Sequence, residues 1–502
     1  MNSKVQTEMK ITLSKNESFN YKSRRLSYHE QHELSKIIKD LLEKGTIRES
    51  ESPFASPIVL VRKKNHDEYR LCVDYRTRNS LTLRENYPIP VIEDLIDRFS
   101  KKNFYSVMDL KSGFHHIPMH EDSIQYTSFI SPLGQFEYTK MPFGLKNASA
   151  VFQRFVEKIF RPLLEANKVT IYIDDLLIAS ETIEEHNEIL SEVFTLLATN
   201  LLELNIAKCK FYYSEIDYLG YSLSNGGVKP NRTNVEAINQ FPIPKNMREL
   251  QRFIGMCSYF RKFICDFCHL AKPLQDLIKM NPKIFKFGQE QIDAFENLKS
   301  KLMGRPVLSI FTPNNDVELH CDGSSIGYGA ILMQKDEKGK MHPIFYYSKR
   351  STEQEAKYHS FELETMAIIY ALRRFRIYLL GRKFKVITDC NALKLTLNKQ
   401  IVNPRISRWA LEIQNFDFDI EHREGHRMQH VDALSRSTAI LVLEENTFEH
   451  TMAVYQDQDP DLEQLRNELK LSESSQYELR NGLIYKKVDK DQIRFYVPKN
   501  ME

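Results

Sequence analysis

VTIYIDDLLIA, residues 169–179, is an apolar, strand-like run broken in its middle by Asp174 and Asp175. An ionised carboxylate in such surroundings costs several kcal/mol unless it is paired or bound to a metal. Successive strand residues face opposite ways, so two adjacent aspartates serve one site only near a tight hairpin turn, or with one of them supporting the other. Asp109 ends a second apolar strand, YSVMDL (105–110), and is the natural third carboxylate. A lone aspartate is usually a cap or turn residue, but that does not explain a pair inside an apolar strand. Three carboxylates are the hard oxygen ligands that Mg²⁺ prefers, and Mg²⁺ completes its octahedron with substrate phosphates and water. Paired ions of this kind activate a 3′-hydroxyl and stabilise departing pyrophosphate in an in-line displacement.

Around this stretch the chain reads as a mixed α/β unit. Residues 27–44 have Ser27 as N-cap, apolar positions at helical spacing (Leu34, Ile37, Ile38, Leu41, Leu42) and a stop at Gly45, which predicts an amphipathic helix. SPFASPIVLVRKK (52–64) and YRLCVDYR (69–76) predict a hairpin. The strand NFYSVMDL (103–110), the turn KSG and a helix over 148–166 follow, then the aspartate run. A helical stretch, 232–280, leads to a second pattern in the order β-β-β-α-β-α: VELHCD, YGAILMQ, HPIFYYS, a helix over 361–375, FKVITD and a short helix around VDALSR.

That second pattern carries its own carboxylates. Asp322 ends VELHCD, Asp389 ends FKVITD, and Glu364 lies on the apolar stripe formed by Ala367, Ile368, Ala371, Leu372 and Phe375. A glutamate on a buried helix face makes sense when it is aimed into a site. Asp432, in HVDALSR, supplies a fourth.

At 502 residues the chain has room for three or more packed units, and 42% hydrophobic with 27% charged residues suits globular cores. A net charge of +3 permits a nucleic-acid partner without requiring one. The N-terminus has no apolar leader and no stretch is long enough to span a membrane, so no membrane partner is expected. Seven scattered cysteines predict free thiols in a reducing compartment. Cys265-x-x-Cys268-His269 matches the string of a haem attachment site but interrupts a helical pattern, and coincidence is the better explanation. His422, His426 and His430 recur every four residues, but Gly425 and the adjacent Asp432 favour a loop over a zinc-binding helix face.

YSVMDLKSGF, MPFGLKNASAVFQR, YIDD and YLGY resemble, in order and context, the palm motifs of gypsy-type retrotransposon reverse transcriptases, and YRLCVDYRTRN resembles their fingers motif. The resemblance runs from about Arg24 to Arg436 and implies a multidomain α/β and α+β chain. A right-hand polymerase of fingers, palm and thumb is followed by a ribonuclease H-like mixed-sheet domain. It implies fingers and palm over 1–225, a helical thumb-like region over 226–285, and a ribonuclease H-like domain with its lead-in over 286–438. Residues 439–502 resemble a linker and the start of an integrase N-terminal region, without its zinc ligands.

By the same resemblance Asp109 and Asp174 are direct metal ligands and Asp175 their support. Arg70, and with it Lys63, matches the fingers groups on the incoming triphosphate. Phe114 matches the steric gate against a ribose 2′-hydroxyl. Gly144 lies where backbone approaches template and nucleotide. Leu219, Gly220 and Tyr221 match the primer grip, Lys208 a lysine near the pyrophosphate, and His115-His116 template contacts at most. In the ribonuclease H-like part Asp322, Glu364, Asp389 and Asp432 match the four carboxylates that hold two metals. His422 matches a histidine that aids proton transfer or product release.

The implied activity is RNA- and DNA-directed DNA synthesis with cleavage of the RNA strand. Its cofactors are two Mg²⁺ or Mn²⁺ ions per active site, and its partners an RNA template, a DNA primer, an RNA:DNA hybrid and dNTPs. The implied setting is a cytoplasmic virus-like particle or the nucleus; oligomeric state is not legible. NASAVFQR, TDCNAL and Met428 depart from the usual family pattern, which bears on local geometry and removes no carboxylate. Absence of an Asp-Ser/Thr-Gly signature argues against self-processing. The rival from another class is a non-catalytic, host-adopted nucleic-acid-binding relic, which loss of a metal ligand would favour.

Overall fold

The computed structural model describes residues 7–15, 19, 21–62, 69–388, 409, 412–422, 477–480, 483–489 and 492–495. Its contacts divide into two units, 1–436 and 437–502. The aspartate run folds as a hairpin, Val169–Tyr172 returning as Asp175–Ser180. With Phe104–Asp109 and Lys210–Tyr213 these form a four-stranded antiparallel sheet in the order Val169–Tyr172, Asp175–Ser180, Phe104–Asp109, Lys210–Tyr213. Its first three strands are buried on both faces, as their nearly continuous apolar sequences require, and the edge strand Lys210–Tyr213 is largely exposed. Met108, Leu176 and Ile178 face the helices Ala148–Glu165 and Ile183–Thr199, packing against Phe152, Val156 and Val193. The alternate residues Tyr105, Leu177 and Ala179 face a second core that holds Tyr218, Tyr221 and Phe253.

The N-terminal helix forms as predicted, Tyr28–Glu43, with a capping box between Ser27 and Glu30. Its Leu34 and Ile38 pack on a five-stranded sheet ordered Ile47–Glu49, Gly134–Tyr138, Phe129–Ser131, Ser56–Arg62, Tyr69–Val73. The last two strands are the predicted antiparallel hairpin. A small sheet, Glu215–Tyr218, Tyr221–Ser224 and Gly227–Pro230, then leads to the helices Arg232–Asn239, Met247–Tyr259, Lys272–Met280 and Gln289–Met303. Phe295 and Leu298 of the last helix share one core with Ile238, Leu250 and Leu274.

The following sheet is mixed, ordered Met341–Arg350, Gly327–Lys335, Val317–Gly323, Lys383–Thr388, Asp417–His422; the first three strands are antiparallel and the last two parallel to Val317–Gly323. The helix Ser360–Arg374 covers it, burying Leu363, Ala367, Ile368 and Leu372. The strand Asp417–His422 was not anticipated, although DFDIEH alternates polar and apolar residues with the period of a half-buried strand. It pairs with KFKVIT, and Lys383–Asp419 (3.0 Å) and Lys385–Glu421 (3.2 Å) offset the acidic face. The short helix expected around VDALSR lies outside the described residues. In the second unit Tyr477–Arg480, Leu483–Asp489 and Gln492–Phe495 form an antiparallel three-stranded sheet. Among the described residues no helix is long and apolar enough to cross a membrane.

Candidate active sites

Tyr172 pairs with Asp175, which leaves Ile173 and Asp174 as a two-residue loop. Ile173 has φ +57°, an uncommon conformation for a β-branched residue. Gln153, fully buried on the helix Ala148–Glu165, accepts the Ile173 N–H at 2.7 Å; its amide donates to the Ile171 carbonyl (3.1 Å) and to Glu157 (2.7 Å). The loop places Asp174 at the tip and Asp175 directly across from Asp109. The Leu110 N–H donates to the Asp174 carbonyl at 3.1 Å, and the Asn205 N–H to that of Asp109 at 2.9 Å.

The three carboxylates expected to act together are therefore brought together, and they repel one another. Burial, then the charges of Asp174 and Asp109, push the Asp175 carboxyl up to about 6, against a partial counter-effect from Lys208. Lys208 Nζ lies 2.8 Å from Asp109 Oδ2. Among the described residues no three His, Cys, Asp or Glu side chains converge enough to hold an ion unaided. The donor set nonetheless fits a hard cation: oxygen ligands only, excess negative charge, and one lysine that offsets it in part. Mg²⁺ draws the rest of its shell from phosphates and water.

Phe114 stands on the short turn Gly113–His116, stacked on Phe152 at 4.9 Å and 4.7 Å from Phe143, with only 7% of its surface exposed. A Cβ at Gly113 would come within 2.5 Å of the Phe152 ring, so glycine is required there. One helix thus carries both Phe152, behind the gate candidate, and Gln153, the clamp of the aspartate loop. Gly144 has φ +91°, and Asn79 locks its strap by donating to the Gly144 carbonyl and accepting from the Lys146 N–H, both at 2.8 Å. Gln153 and Asn79 were missed as site residues. The available signal was a polar side chain on an apolar helix stripe for the first, and the end of YRTRN for the second. Arg70 is exposed on Tyr69–Val73; Lys63 lies outside the described residues.

Leu219 (φ +46°) and Gly220 (φ +83°) form the two-residue turn between Tyr218 and Tyr221. Tyr259 holds it, donating to the Leu219 carbonyl at 2.6 Å while its ring stacks on Tyr221 at 5.3 Å. His115 packs against Tyr138 and Phe143, and burial pulls its pKa down to about 4, so it is neutral at pH 7. His269 hydrogen-bonds Asp266, and burial raises the thiols of Cys265 and Cys268, so the Cys-x-x-Cys-His string is packed structure.

In the mixed sheet Asp322 is 2% and Glu364 7% exposed. A Cβ at Gly323 would lie 2.4 Å from the Leu363 carbonyl oxygen, so strand and helix backbones touch and bring Asp322 beside Glu364. Both carboxylates act on the fully buried Cys321 thiol, which burial first and these charges second push well above its usual range. His422 ends its strand opposite Thr388, the residue before Asp389. Asp389 and Asp432 lie outside the described residues.

Residues 61–223 match the family model described as reverse transcriptase (RNA-dependent DNA polymerase), and residues 312–416 match the RNase H-like domain found in reverse transcriptase. The chain carries a reverse transcriptase domain followed by a ribonuclease H-like domain. Among its relatives is the retrovirus-related Pol polyprotein from transposon 297 of Drosophila melanogaster, 35% identical over 465 residues, 92% of this chain and 42% of that protein. The transposon Tf2-3 polyprotein of Schizosaccharomyces pombe is 35% identical over 399 residues, 79% of this chain and 30% of that one. These matches bear out the resemblance to gypsy-type Pol polyproteins; the chain spans less than half the length of either. The fold is similar to that of the foamy viral protease-reverse transcriptase. Its complex with dsDNA gives a TM-score of 0.75 at 22% identity, covering 84% of this chain and 88% of that one. Its RNA/DNA hybrid complex gives 0.71 at 20% identity, covering 89% and 60%. Asp109, Asp174 and Asp175 thus fall within the residues matched by the reverse transcriptase model, and Asp322 and Glu364 within those matched by the RNase H-like model.

Proposed function

We propose that this chain extends a DNA primer on an RNA or DNA template with dNTPs, and cuts the RNA strand of the resulting hybrid. The observation that carries this reading is the placement of Asp109, Asp174 and Asp175 on one tight loop and the strand facing it, supported by the family matches over both domains. Two divalent ions, Mg²⁺ or Mn²⁺, would supply a lowered-pKa hydroxyl and charge neutralisation at the phosphates. Asp109 and Asp174 would hold them, with Asp175 in support. Lys208, now on Asp109, is placed to follow negative charge onto the departing pyrophosphate. The exposed Arg70, with Lys63, would fork onto the triphosphate, and Phe114 would wall off the 2′-hydroxyl. Gly144 admits backbone approach, and Leu219, Gly220 and Tyr221 would seat the primer end. Asp322, Glu364, Asp389 and Asp432 would hold the second metal pair, with His422 near the departing product. We place the reaction in a cytoplasmic particle or the nucleus.

The test is extension of a labelled DNA primer on an RNA template with dNTPs and Mg²⁺, run beside Asp174→Asn. Extension by the wild type alone supports the reading and its metal site. No extension by folded wild-type protein, across several primers and metals, favours the nucleic-acid-binding relic.

A further inference from the structure

The helix Ile92–Ile96 and the short turn Asp97–Phe99 that continues it touch both domains. Ile96 and Phe99 are buried in the same core as Tyr221 of the Leu219–Gly220 hairpin. On the polar side, Arg374 donates to Glu93 at 2.8 Å and Tyr378 to Asp97 at 2.7 Å, both reaching across 281 positions from the ribonuclease H-like domain. Between these contacts and the hairpin lies Lys262, 6% exposed, its ammonium 4.9 Å from the Tyr221 ring centre. The charge of Glu93 acts on Lys262, Asp97 and Tyr378, and also on the stacked pair Tyr221 and Tyr259. One carboxylate therefore ties the ribonuclease H-like domain to the hairpin proposed to seat the primer end.

Arg374 also belongs to the helix that carries Glu364, about 15 Å further along at ~1.5 Å rise per residue. That helix is a rod with a site carboxylate near one end and the junction contact at the other. Successive phosphates of a strand are about 3.4 Å apart along the axis of B-form DNA, and somewhat closer in a hybrid of A-like form. A slip of the rod by that distance moves the point of cleavage by one nucleotide. Two hydrogen bonds resist such a slip, one from Arg374 at the end of the rod and one from Tyr378 on the short helix Arg376–Leu379 that follows it.

We propose that Glu93 and Asp97 are positioning residues which, by holding Arg374 and Tyr378, fix how far from the primer terminus the RNA strand is cut. This rests on the function proposed above and adds to it a means of registering one site against the other. It is tested with end-labelled RNA annealed to DNA with a recessed 3′ end, in Mg²⁺ without dNTPs, mapping the cuts to single nucleotides. The combined variant Arg374→Glu, Tyr378→Phe is expected to shift or broaden the cut window by at least one nucleotide. Cleavage of a hybrid without a recessed end, which needs no registration, and single-nucleotide extension should stay at wild-type rates. Arg374→Lys with Tyr378 intact, which keeps a cation facing Glu93, should keep the wild-type window. Tyr378→Phe alone, which removes one oxygen atom, carries the same test if the charge reversal does not fold. A window unchanged in the folded Arg374→Glu, Tyr378→Phe and Tyr378→Phe variants, or displaced as far by Arg374→Lys, overturns the inference. Wild-type protein silent in both assays overturns the function itself.

Discussion

Asp175, with its pKa near 6, keeps its proton in the folded chain over a range where the unfolded chain, at 3.8, has already released it. The folded state thus binds more protons between those values, so this group's contribution makes stability fall as pH rises through that window, and the penalty is complete above it. Asp175→Asn should raise the Tm of the metal-free protein at pH 7 and leave it unchanged below pH 3.8. A Tm difference of equal size at both pH values would contradict this. Mg²⁺ should raise the wild-type Tm through preferential binding to the folded state, and raise the variant's less. Phe114→Val tests the gate. It should lower dNTP-over-rNTP discrimination by roughly 10- to 200-fold, and cost about 2–3 kcal/mol because the ring is packed on Phe152. Discrimination that stays intact while stability drops would leave Phe114 a core residue only.

The aspartate loop depends on the neighbouring helix. Gln153→Leu leaves the Ile173 N–H without its acceptor and should destabilise the chain by about 1–3 kcal/mol. Displacing Asp174 by as little as an ångström should also cut the extension rate by about 100-fold. Stopped-flow incorporation beside thermal melts checks both, and a loss of stability with the rate unchanged would mean that the loop holds itself. This dependence marks where sequence reading stops. The paired aspartates were legible because charge in an apolar strand demands an explanation, and Ser27, Gly45 and the two flanking strands announced their elements through local chemistry. Gln153 was not, since its place on an apolar helix stripe signals burial without saying which backbone groups its amide would hold. The strand Asp417–His422 was hidden for a related reason. Its alternation is short, and Phe418 and Ile420 find their core, and Asp419 and Glu421 their lysines, only once the sheet has formed.

At the scale of the chain, two carboxylate sites stand in two separate cores. Asp322→Asn should abolish hybrid cleavage and leave primer extension intact; loss of both would show that the sites are not separable. The order of the domains was readable from motifs. Their mutual placement was not, because Glu93 with Arg374 and Asp97 with Tyr378 are ordinary surface-type residues until the fold opposes them.

The buried Cys321 has a consequence of another kind. Its thiol sits beside Asp322 and Glu364 with the thiolate strongly disfavoured, so an alkylating reagent can reach it only when the sheet opens. Modification of this one sulfur is then a stopwatch for local unfolding at the ribonuclease H-like site. It runs on the bare protein, with neither metal nor nucleic acid, and should tick faster in any variant that loosens the contact between Gly323 and Leu363.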